Sequence, residues 1–388
     1  MTTEGLTAAQ ASGAGVVPAD PEGKGPLAAP EVVYATASQW RLMRRKFRRH
    51  RLACISLAVL TVFYLIALLA PFLSPNDPLQ TDRNLTGAPP MVVRFFEDGQ
   101  LQRPFVYGYK RTFDLATMRP GDVIDPARRY PVSFWVIGHE YDLFGVIPAN
   151  VHLFGVDGGK IYLLGGDRLG RDMLSRILHG TQISLTLGLV GVILTFFIGL
   201  FMGGISGLLG GVVDLAVQRL IEVLRCFPTI PLWMALAAAL PRSWTQIQVF
   251  FGITVILSLI GWTDLARVVR GKFLSLRNED YVTAARQAGA GPGWIIRRHL
   301  LPAFASHIIA SLTLSIPAMI LAETALSFLG LGLQQPLISW GVLLQEAQNV
   351  RSVATMPWVL SPVLFVVAAV LAFNFVGDGL RDAADPYS

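Results

Sequence analysis

Two glutamates lie within apolar stretches of this chain, where a carboxylate could carry protons or coupling ions. Glu222 lies one helical turn from both Arg219 and Arg225, and Glu323 lies within a later apolar stretch. Charged side chains inside a membrane are costly and usually face protein or a water-filled path. These carboxylates are therefore candidates for lining a pathway, for ion coupling, or for ion pairs that only fix packing.

A predicted helix break follows Glu222. Pro228 and Pro231 lie three residues apart, directly after Phe227. Proline removes a backbone donor and should kink or break the helix, which frees carbonyl groups. Together these observations give the pathway or packing candidates Arg219, Glu222, Phe227, Pro228 and Glu323.

The sequence lacks the motifs that commonly mark an active site. It contains no Gly-x-x-x-x-Gly-Lys-Ser/Thr phosphate loop, no Gly-x-Ser-x-Gly elbow and no His-Glu-x-x-His pair. Its two cysteines, Cys54 and Cys226, fall inside apolar segments and provide neither a disulfide framework nor metal-ligand spacing. We predict that the chain is not an enzyme and that it has no catalytic residue, no metal site and no bound cofactor.

The elements that carry these residues are long apolar segments. Hydrophobic residues make up 53% of the 388 residues and charged residues only 15%. A helix needs about 20 mostly apolar residues to cross a bilayer. Six segments satisfy this requirement, at roughly 52–73, 182–209, 213–240, 246–267, 304–333 and 357–380. We therefore predict an all-α integral membrane protein with six spans.

Basic residues cluster beside two of these segments. One cluster precedes the first span and contains no acid, and it consists of Arg41, Arg44, Arg45, Lys46, Arg48, Arg49 and Arg51. The other cluster lies in the 267–299 loop. Because basic loops stay in the cytoplasm, the N-terminus and this loop should both be cytoplasmic. Six spans then return the C-terminus to the cytoplasm as well.

The second apolar segment carries glycines at steps of four, namely Gly199, Gly203, Gly207 and Gly211. Small residues on one face of a helix let a second helix approach closely. This pattern predicts tight helix packing along that face.

The 267–299 loop contains a short predicted helix between two spans. Asp280 can cap its start, and Ala284 and Ala285 are helix formers with little bulk. Gly289 suits the left-handed residue that ends a helix, and the following Gly291-Pro292-Gly293 breaks the chain. A small-residue helix of this kind leaves room for a partner surface to approach.

This loop resembles the cytoplasmic coupling loop of the permeases of ATP-binding-cassette (ABC) importers. That loop runs Glu-Ala-Ala, three residues, Gly, and then about a dozen residues to Leu-Pro. The chain has Ala284, Ala285, Gly289, Leu301 and Pro302 at this spacing, with Thr283 at the position of the family's Glu. The Arg-His-x-Leu-Pro ending, and further blocks at 165–172, 323–332 and 377–382, resemble the dipeptide/oligopeptide/nickel (DppC/OppC-like) subfamily.

The resemblance implies a six-helix type I importer fold (MetI-like) in the cytoplasmic (inner) membrane. It implies a second homologous permease, two cytoplasmic subunits that hold ATP and Mg, and an extracytoplasmic binding protein as partners. Peptides are the implied substrates; nickel chelates, another small solute, or ion-coupled secondary transport are alternatives. The implied ATPase-coupling residues are Asp280, Tyr281, Thr283, Ala284, Ala285, Gly289, Leu301 and Pro302.

Four regions organise the chain in this interpretation. Residues 1–37 are a disordered cytoplasmic tail, and residues 38–73 are a basic interfacial segment followed by the first span. Residues 74–165 form a small, partly β extracytoplasmic insert, with strand-prone runs at Phe105–Tyr109, Val132–Ile137 and Lys160–Leu164. Residues 166–388 form the permease core with five spans and the 268–303 cytoplasmic coupling loop.

Overall fold

The computed structural model describes residues 39–97, 100–114 and 119–384. The predicted tail at 1–37 lies outside these described residues. The helices are α1 (Gln39–Arg49), α2 (Arg51–Leu73), α3 (Met173–Leu209), α4 (Gly211–Cys226), α5 (Thr229–Ala238), α6 (Gln246–Leu276), α7 (Asp280–Gln287), α8 (Pro292–Ile295), α9 (Leu301–Phe328), α10 (Trp340–Leu344), α11 (Val350–Thr355) and α12 (Ser361–Ala384).

Five helices in the described ranges are long and apolar enough to cross a membrane: α2, α3, α6, α9 from Ile308 onward, and the region of α12. Helices α4 and α5 satisfy the same criterion only as a pair, and they are bent by 88° at the break between them. The apolar segments of the sequence thus correspond to five such helices and one broken pair.

Three predicted segment boundaries differ clearly from the helix ends. The fourth apolar segment was expected to end at 267, but α6 continues to Leu276. The second apolar segment was expected to begin at 182, but α3 begins at Met173 because the Asp172 carboxylate accepts hydrogen bonds from the Leu174 and Ser175 amides. The fifth was expected to reach 333, but α9 ends at Phe328. There the chain turns, and the amides of the residues at 331 and 332 both donate to the Leu326 carbonyl.

Helices α3 and α6 pack closely through glycines. A Cβ at Gly203 would lie only 2.5 Å from the Ala266 carbonyl oxygen, so a larger residue would push the helices apart. Gly199 and Gly207 likewise contact α6, and these three positions confirm the predicted close packing. The fourth glycine of the pattern, Gly211, begins α4 and contacts no other side chain.

The packed core lies between α2, α3, α9 and α12, around the fully buried Trp340 of α10. The Trp340 ring meets the Phe63 ring edge-on at 6.1 Å between centroids, and its indole N–H donates to Thr181 Oγ1 at 3.3 Å. Buried tryptophan needs such a polar partner, and α3 supplies it. Helices α4 and α5 pack in two separate apolar clusters, both of which include residues of α6.

The 74–165 region forms a four-stranded antiparallel sheet in the order β1 (Arg94–Glu97), β2 (Gln100–Asp114), β3 (Arg119–Leu143) and β4 (Ile147–Val156). The predicted runs at 105–109 and 132–137 lie within β2 and β3. The third predicted run, 160–164, was wrong, because it forms no strand. Its Ile161 and Tyr162 are instead buried beneath the sheet against Val106, so their apolar character reflects packing rather than strand pairing.

Helix α1 presents a basic face before the first span. Arg41, Arg44, Arg48 and Arg49 are exposed, whereas Met43 on the other side is buried. The chain then breaks at His50, whose Nδ1 accepts a hydrogen bond from the Ala53 amide at 3.0 Å and so caps α2. The basic segment is therefore helical and separate from the span that follows it.

Candidate functional site

Helix α7 contacts the bundle through few side chains. Val282 is fully buried among Phe273, Ile295 and Leu300, and the half-buried Ala285 packs against the same cluster. The other predicted coupling residues of this helix are exposed, namely Asp280, Tyr281, Thr283 and Ala284. A short helix with few buried contacts offers a polar, small-residue surface to a partner.

The start of α7 differs from the prediction. Asp280 was expected to cap the helix, but Glu279 occupies the N-cap position and makes no side-chain capping bond. Asp280 is the first helical residue, where its charge still interacts favourably with the helix dipole. Burial raises the pKa of the Tyr281 hydroxyl, with a further contribution from the Glu279 charge.

Gly289 ends this helix as predicted, with φ of +83°. The amide of Ala290, one residue on, donates to the Ala285 carbonyl at 3.0 Å. A Cβ at Gly289 would meet nothing within 4 Å, so only the backbone conformation requires glycine here.

The chain then returns to the bundle through α8 and a π-helical turn at Ile296–Leu300. His299 in this turn packs against two rings, with centroid distances of 5.7 Å to Tyr281 and 5.1 Å to Trp294. Leu301 begins α9 and Pro302 follows it in the first turn, exposed. The predicted coupling residues thus lie along one continuous segment joined to α9.

The predicted break after Glu222 falls between α4 and α5. Phe227, 54% exposed, and Pro228 occupy the bend itself, whereas Pro231 lies inside α5. Glu222 accepts a hydrogen bond from Arg219 Nη1 at 2.6 Å, which is one of the two pairings that the sequence allowed. Both side chains of this pair are at least half exposed.

Arg225 does not pair with Glu222. Its guanidinium reaches across to the Asp264 carboxylate of α6, and both groups are exposed at 40% and 76%. A second ion pair joins the same two helices: Arg270 of α6 donates to Asp214 of α4 through two bonds of 2.5 and 2.6 Å. Helices α4 and α6 are therefore joined by two ion pairs that differ in exposure.

Glu323 is fully enclosed and lines no cavity of the α4–α5 region. Its carboxylate accepts hydrogen bonds from Ser327 and Ser339, each at 2.7 Å, and lies 3.5 Å from the Ser184 hydroxyl. These serines belong to α3, α9 and the start of α10. Of the three candidate roles, the structure favours packing for Glu323, because the carboxylate joins three elements inside the core.

A cavity of about 560 Å³ lies beside the α4–α5 bend. Its lining includes Thr195 of α3, Arg225 of α4, Trp233 of α5, Asp264 of α6 and the face of α9 around Ser315. Most other lining residues are apolar. A cavity of this size and mixed lining falls within the usual range of small-ligand sites, roughly 300–1,000 Å³.

At the start of α3, charged side chains form a buried cluster. The Asp167 carboxylate, with no exposed surface, pairs with Arg176 and also accepts from Arg171 Nε at 2.7 Å. Arg171 in turn donates to Gln335 Oε1 at 2.7 Å. The cluster fixes the entry to α3 against the loop that follows α9.

Asp172 lies beside this cluster and is also fully buried. Burial raises the pKa of its carboxyl group to about 6, although hydrogen bonds from Ser175, Asn76 and the Leu174 amide oppose that shift. Burial penalises the charged form, and the hydrogen bonds favour it. Here the burial effect is the larger of the two.

The apolar helices, the buried polar networks and the cavity between them define a multi-pass membrane protein. Residues 174–387 match the family described as the binding-protein-dependent transport system inner membrane component, and the chain belongs to that family. Residues 38–90 match the N-terminal transmembrane domain of oligopeptide transport permease C. It is thus a DppC/OppC-like permease component of an ABC importer in the inner membrane, not a catalytic subunit.

Several relatives are similar over most of their length. The dipeptide permease DppC of Bacillus subtilis is 40% identical over 57% of this chain and 68% of its own. The oligopeptide permease OppC of Haemophilus influenzae is 38% identical over 58% and 70%. DppC of Alkalihalophilus pseudofirmus is 29% identical over 92% and 93%.

One solved structure, an inward-facing methionine ABC transporter, is a more distant match. It aligns with 54% of this chain and 97% of its own at 20% identity, with a TM-score of 0.43. This likeness is too weak to carry an argument about individual residues.

Three residues at the cavity were missed by the sequence prediction: Thr195, Trp233 and Asp264. Asp264 did carry a signal, because it is the only acid in the apolar segment at 246–267. Nothing in the pattern marks Thr195 or Trp233, since threonine and tryptophan are common in membrane helices. Thr195 and Trp233 line this cavity because α3 and α5 meet at the bend, and that arrangement is visible only in the structure.

Proposed function

We propose that this chain forms one half of the translocation pathway of an ATP-driven importer for dipeptides and oligopeptides. Relatives named as dipeptide and oligopeptide transport permeases support this substrate class. The second half of the pathway would come from a second, homologous permease. An extracytoplasmic protein would deliver the peptide, and two cytoplasmic ATPase subunits would drive the cycle with ATP and Mg.

The observation that carries the ATPase-driven mechanism is the exposed surface of α7. The helix contacts the bundle through Val282 and Ala285, and the chain continues through the His299 turn into α9. A partner that moves α7 therefore also moves a helix that lines the cavity. The exposed residues Thr283 and Ala284, with Ala285 and Gly289, form the surface where an ATPase subunit would dock.

The proposed topology places six crossings in the membrane, with the α4–α5 pair as the bent third crossing. The N-terminus and the 268–303 loop are cytoplasmic, in agreement with the basic residues beside them. Six crossings then return the C-terminus to the cytoplasm as well. The sheet of the 74–165 insert lies on the extracytoplasmic side. Reporter tags at the N-terminus, after Gly289 and at the C-terminus should report the cytoplasm, and a tag near Asp122 the outside.

Ion-coupled transport is a weaker candidate. It would need an unpaired intramembrane carboxylate that can exchange an ion with a path. Glu323 is enclosed by hydroxyl groups, whereas Glu222 and Asp264 are each paired with an arginine. Nickel chelates or another small solute remain the alternative cargo for the ATP-driven mechanism.

The test is peptide uptake by the reconstituted importer in proteoliposomes, with both permeases, the ATPase subunits and the binding protein. Uptake of a labelled tripeptide should require ATP and should persist when ionophores collapse the proton gradient. A parallel assay with a nickel chelate should show little uptake. Uptake that follows the proton gradient and ignores ATP would contradict the proposal.

A further inference from the structure

The cavity at the α4–α5 bend contains two buried polar atoms that lack a partner. Thr195 Oγ1 and Trp233 Nε1 make no hydrogen bond to any group within the described ranges of the chain. Both residues line this same cavity. Because buried polar groups are nearly always hydrogen-bonded, two such atoms in one cavity point to a ligand that supplies the missing partners.

The packing of α3 against α6 explains why the buried Thr195 hydroxyl has no partner. A threonine in a helix usually donates to the carbonyl four residues earlier, as Thr313 does to the Ile309 carbonyl at 2.8 Å. For Thr195 that carbonyl belongs to Gly191, and it already accepts a hydrogen bond from the Ser258 hydroxyl of α6 at 2.9 Å. The carbonyl has two lone pairs, and the helix uses the other one.

Gly261 of α6 approaches this buried hydroxyl group closely. A Cβ added at Gly261 would lie 3.2 Å from Thr195 Oγ1 and would crowd it. Glycine at this position therefore avoids a tight contact with the hydroxyl group. The environment of the unpaired hydroxyl group thus depends on both helices and not on Thr195 alone.

The ion pair at the cavity rim is also accessible to a ligand. The Arg225–Asp264 pair is exposed at 40% and 76%, whereas the Asp214–Arg270 pair between the same helices is exposed at only 18% and 30%. Asp214 additionally accepts a hydrogen bond from the Ser206 hydroxyl at 2.5 Å. The first pair thus presents one carboxylate and one guanidinium to a ligand, while the second is occupied by its own partners.

We propose that this cavity binds the backbone of a peptide in transit, an inference that rests on the proposed function. The Trp233 indole N–H donates to a peptide carbonyl, and the Thr195 hydroxyl bonds a second amide group. One charged terminus of the peptide pairs with the oppositely charged member of the Arg225–Asp264 pair. The remaining wall is mostly apolar, so it accepts varied side chains without strong selection among them.

This arrangement recognises what all peptides share. Amide groups and the two termini are common to every short peptide, whereas side chains differ. A site that hydrogen-bonds the backbone and leaves the side chains to apolar contacts would be selective for peptides as a class. Solutes without amide groups would leave the indole and hydroxyl groups unpaired, which carries a free-energy penalty.

The first experiment tests location in the complete reconstituted complex. A photoreactive benzophenone side chain is placed at position 233, and the complex is illuminated while it imports a radiolabelled tripeptide. The same side chain at position 244 is the control, because Trp244 lies outside this cavity. We expect the tripeptide to label this subunit from position 233 and not from position 244, and only during ATP turnover.

The second experiment tests the two unpaired groups, the Trp233 indole N–H and the Thr195 hydroxyl, with near-isosteric substitutions. Trp233→Phe removes the indole N–H, Thr195→Val removes the hydroxyl, and Gly261→Ala covers that hydroxyl without removing it. Each should slow tripeptide import at saturating loaded binding protein by about fivefold, the effect of losing one net hydrogen bond. Unstimulated ATP hydrolysis should stay within about twofold of the unmodified complex. Thr313→Val and Trp244→Phe are the matched controls and should leave import unchanged.

The outcomes separate this inference from the proposed function. If the unmodified complex imports no peptide, both are overturned. Two outcomes overturn only this inference. In the first, the complex imports peptide but the benzophenone at position 233 does not cross-link to the tripeptide. In the second, that benzophenone cross-links to the second permease in place of the tripeptide. Unchanged import in all three cavity variants also overturns it.

Discussion

The entry to α3 and the segment from α7 to α9 both concentrate charged residues, but they place them differently. Around Asp167, the side chains of Arg171 and Arg176 are buried and paired. In the other segment, Arg286 and Arg298 are exposed, and apolar side chains such as Val282 make the contact with the bundle. The first region uses charge to fix its own structure, and the second leaves charge available on a surface.

This difference suggests a division of roles along α3, whose 37 residues separate the two ends of the bundle. At about 1.5 Å per residue the helix is long enough to span the membrane and extend beyond it. A paired, buried cluster at one end holds the helices in register. A weakly anchored helix at the other end can follow a partner without disrupting the core.

The largest expected effect is at Asp167, where a substitution tests the difference between buried and exposed charge. Asp167→Ala would leave Arg171 and Arg176 buried without their carboxylate, and breaking a buried pair in this way costs about 3–5 kcal/mol. We expect a loss of that size in the free energy of unfolding, measured by denaturation in mixed micelles. Glu222→Ala, which removes an exposed pair, is the control and should cost at most about 1 kcal/mol. Equal losses in the two variants would contradict the proposed difference between buried and exposed charge.

Asp172 should make the same end of the bundle sensitive to pH. Its pKa is raised from 3.8 to about 6 by burial, so the folded state binds the proton more tightly than the unfolded state. The stabilisation from this group is complete below about pH 4 and is lost as the pH rises through about 6. The loss is at most about 3 kcal/mol, since one pKa unit corresponds to about 1.4 kcal/mol.

Asp172→Asn removes this titration. We expect the unfolding free energy of the unmodified chain to fall relative to that of the variant between pH 4.5 and 7.5, as measured by denaturation at a series of pH values. A constant difference between the two proteins across that range would show that the carboxyl group has an ordinary pKa.

Much of the fold was predictable because membrane helices require long apolar segments. The packing of Gly199, Gly203 and Gly207 followed from their spacing, and the bend at Pro228 followed from the chemistry of proline. The start of α3 was not predictable from hydropathy, because the Asp172 cap extends the helix into a polar stretch. The apolar run at 160–164 was mistaken for a strand because burial and strand pairing favour the same residues.

The site was predictable only in part, for a related reason. Gly289 was recognised because a left-handed helix end needs glycine, which is a local requirement. The Asp167 cluster brings together residues from the entry to α3 and Gln335 after α9, and no local pattern reveals such a contact. Glu323 was recognised as a buried carboxylate, but its enclosure by serines from three elements depends on how the helices pack.

The smallest expected effect on stability is at Gly289, in the turn that follows α7. Gly289→Val forces a β-branched residue to φ of +83°, which strains the backbone by about 1–2 kcal/mol. There is open space around this position, so the strain arises from the backbone and not from a clash. The turn after α7 should shift, while the core that depends on buried contacts should stay intact.

Gly291→Val is the matched control, because Gly291 also has open space around it but has no positive φ. We expect Gly289→Val to reduce co-purification of the ATPase subunits and peptide import, and Gly291→Val to leave both near the unmodified level. Membrane insertion of both variants should be normal, because neither position belongs to an apolar helix. If the two variants behave alike, the left-handed turn is not what positions α7, and the docking surface must depend on the loop as a whole. If only Gly289→Val loses the ATPase subunits, a strain smaller than the cost of breaking the Asp167 cluster is enough to uncouple the importer. The physical reason is that α7 has few buried contacts to hold it in place.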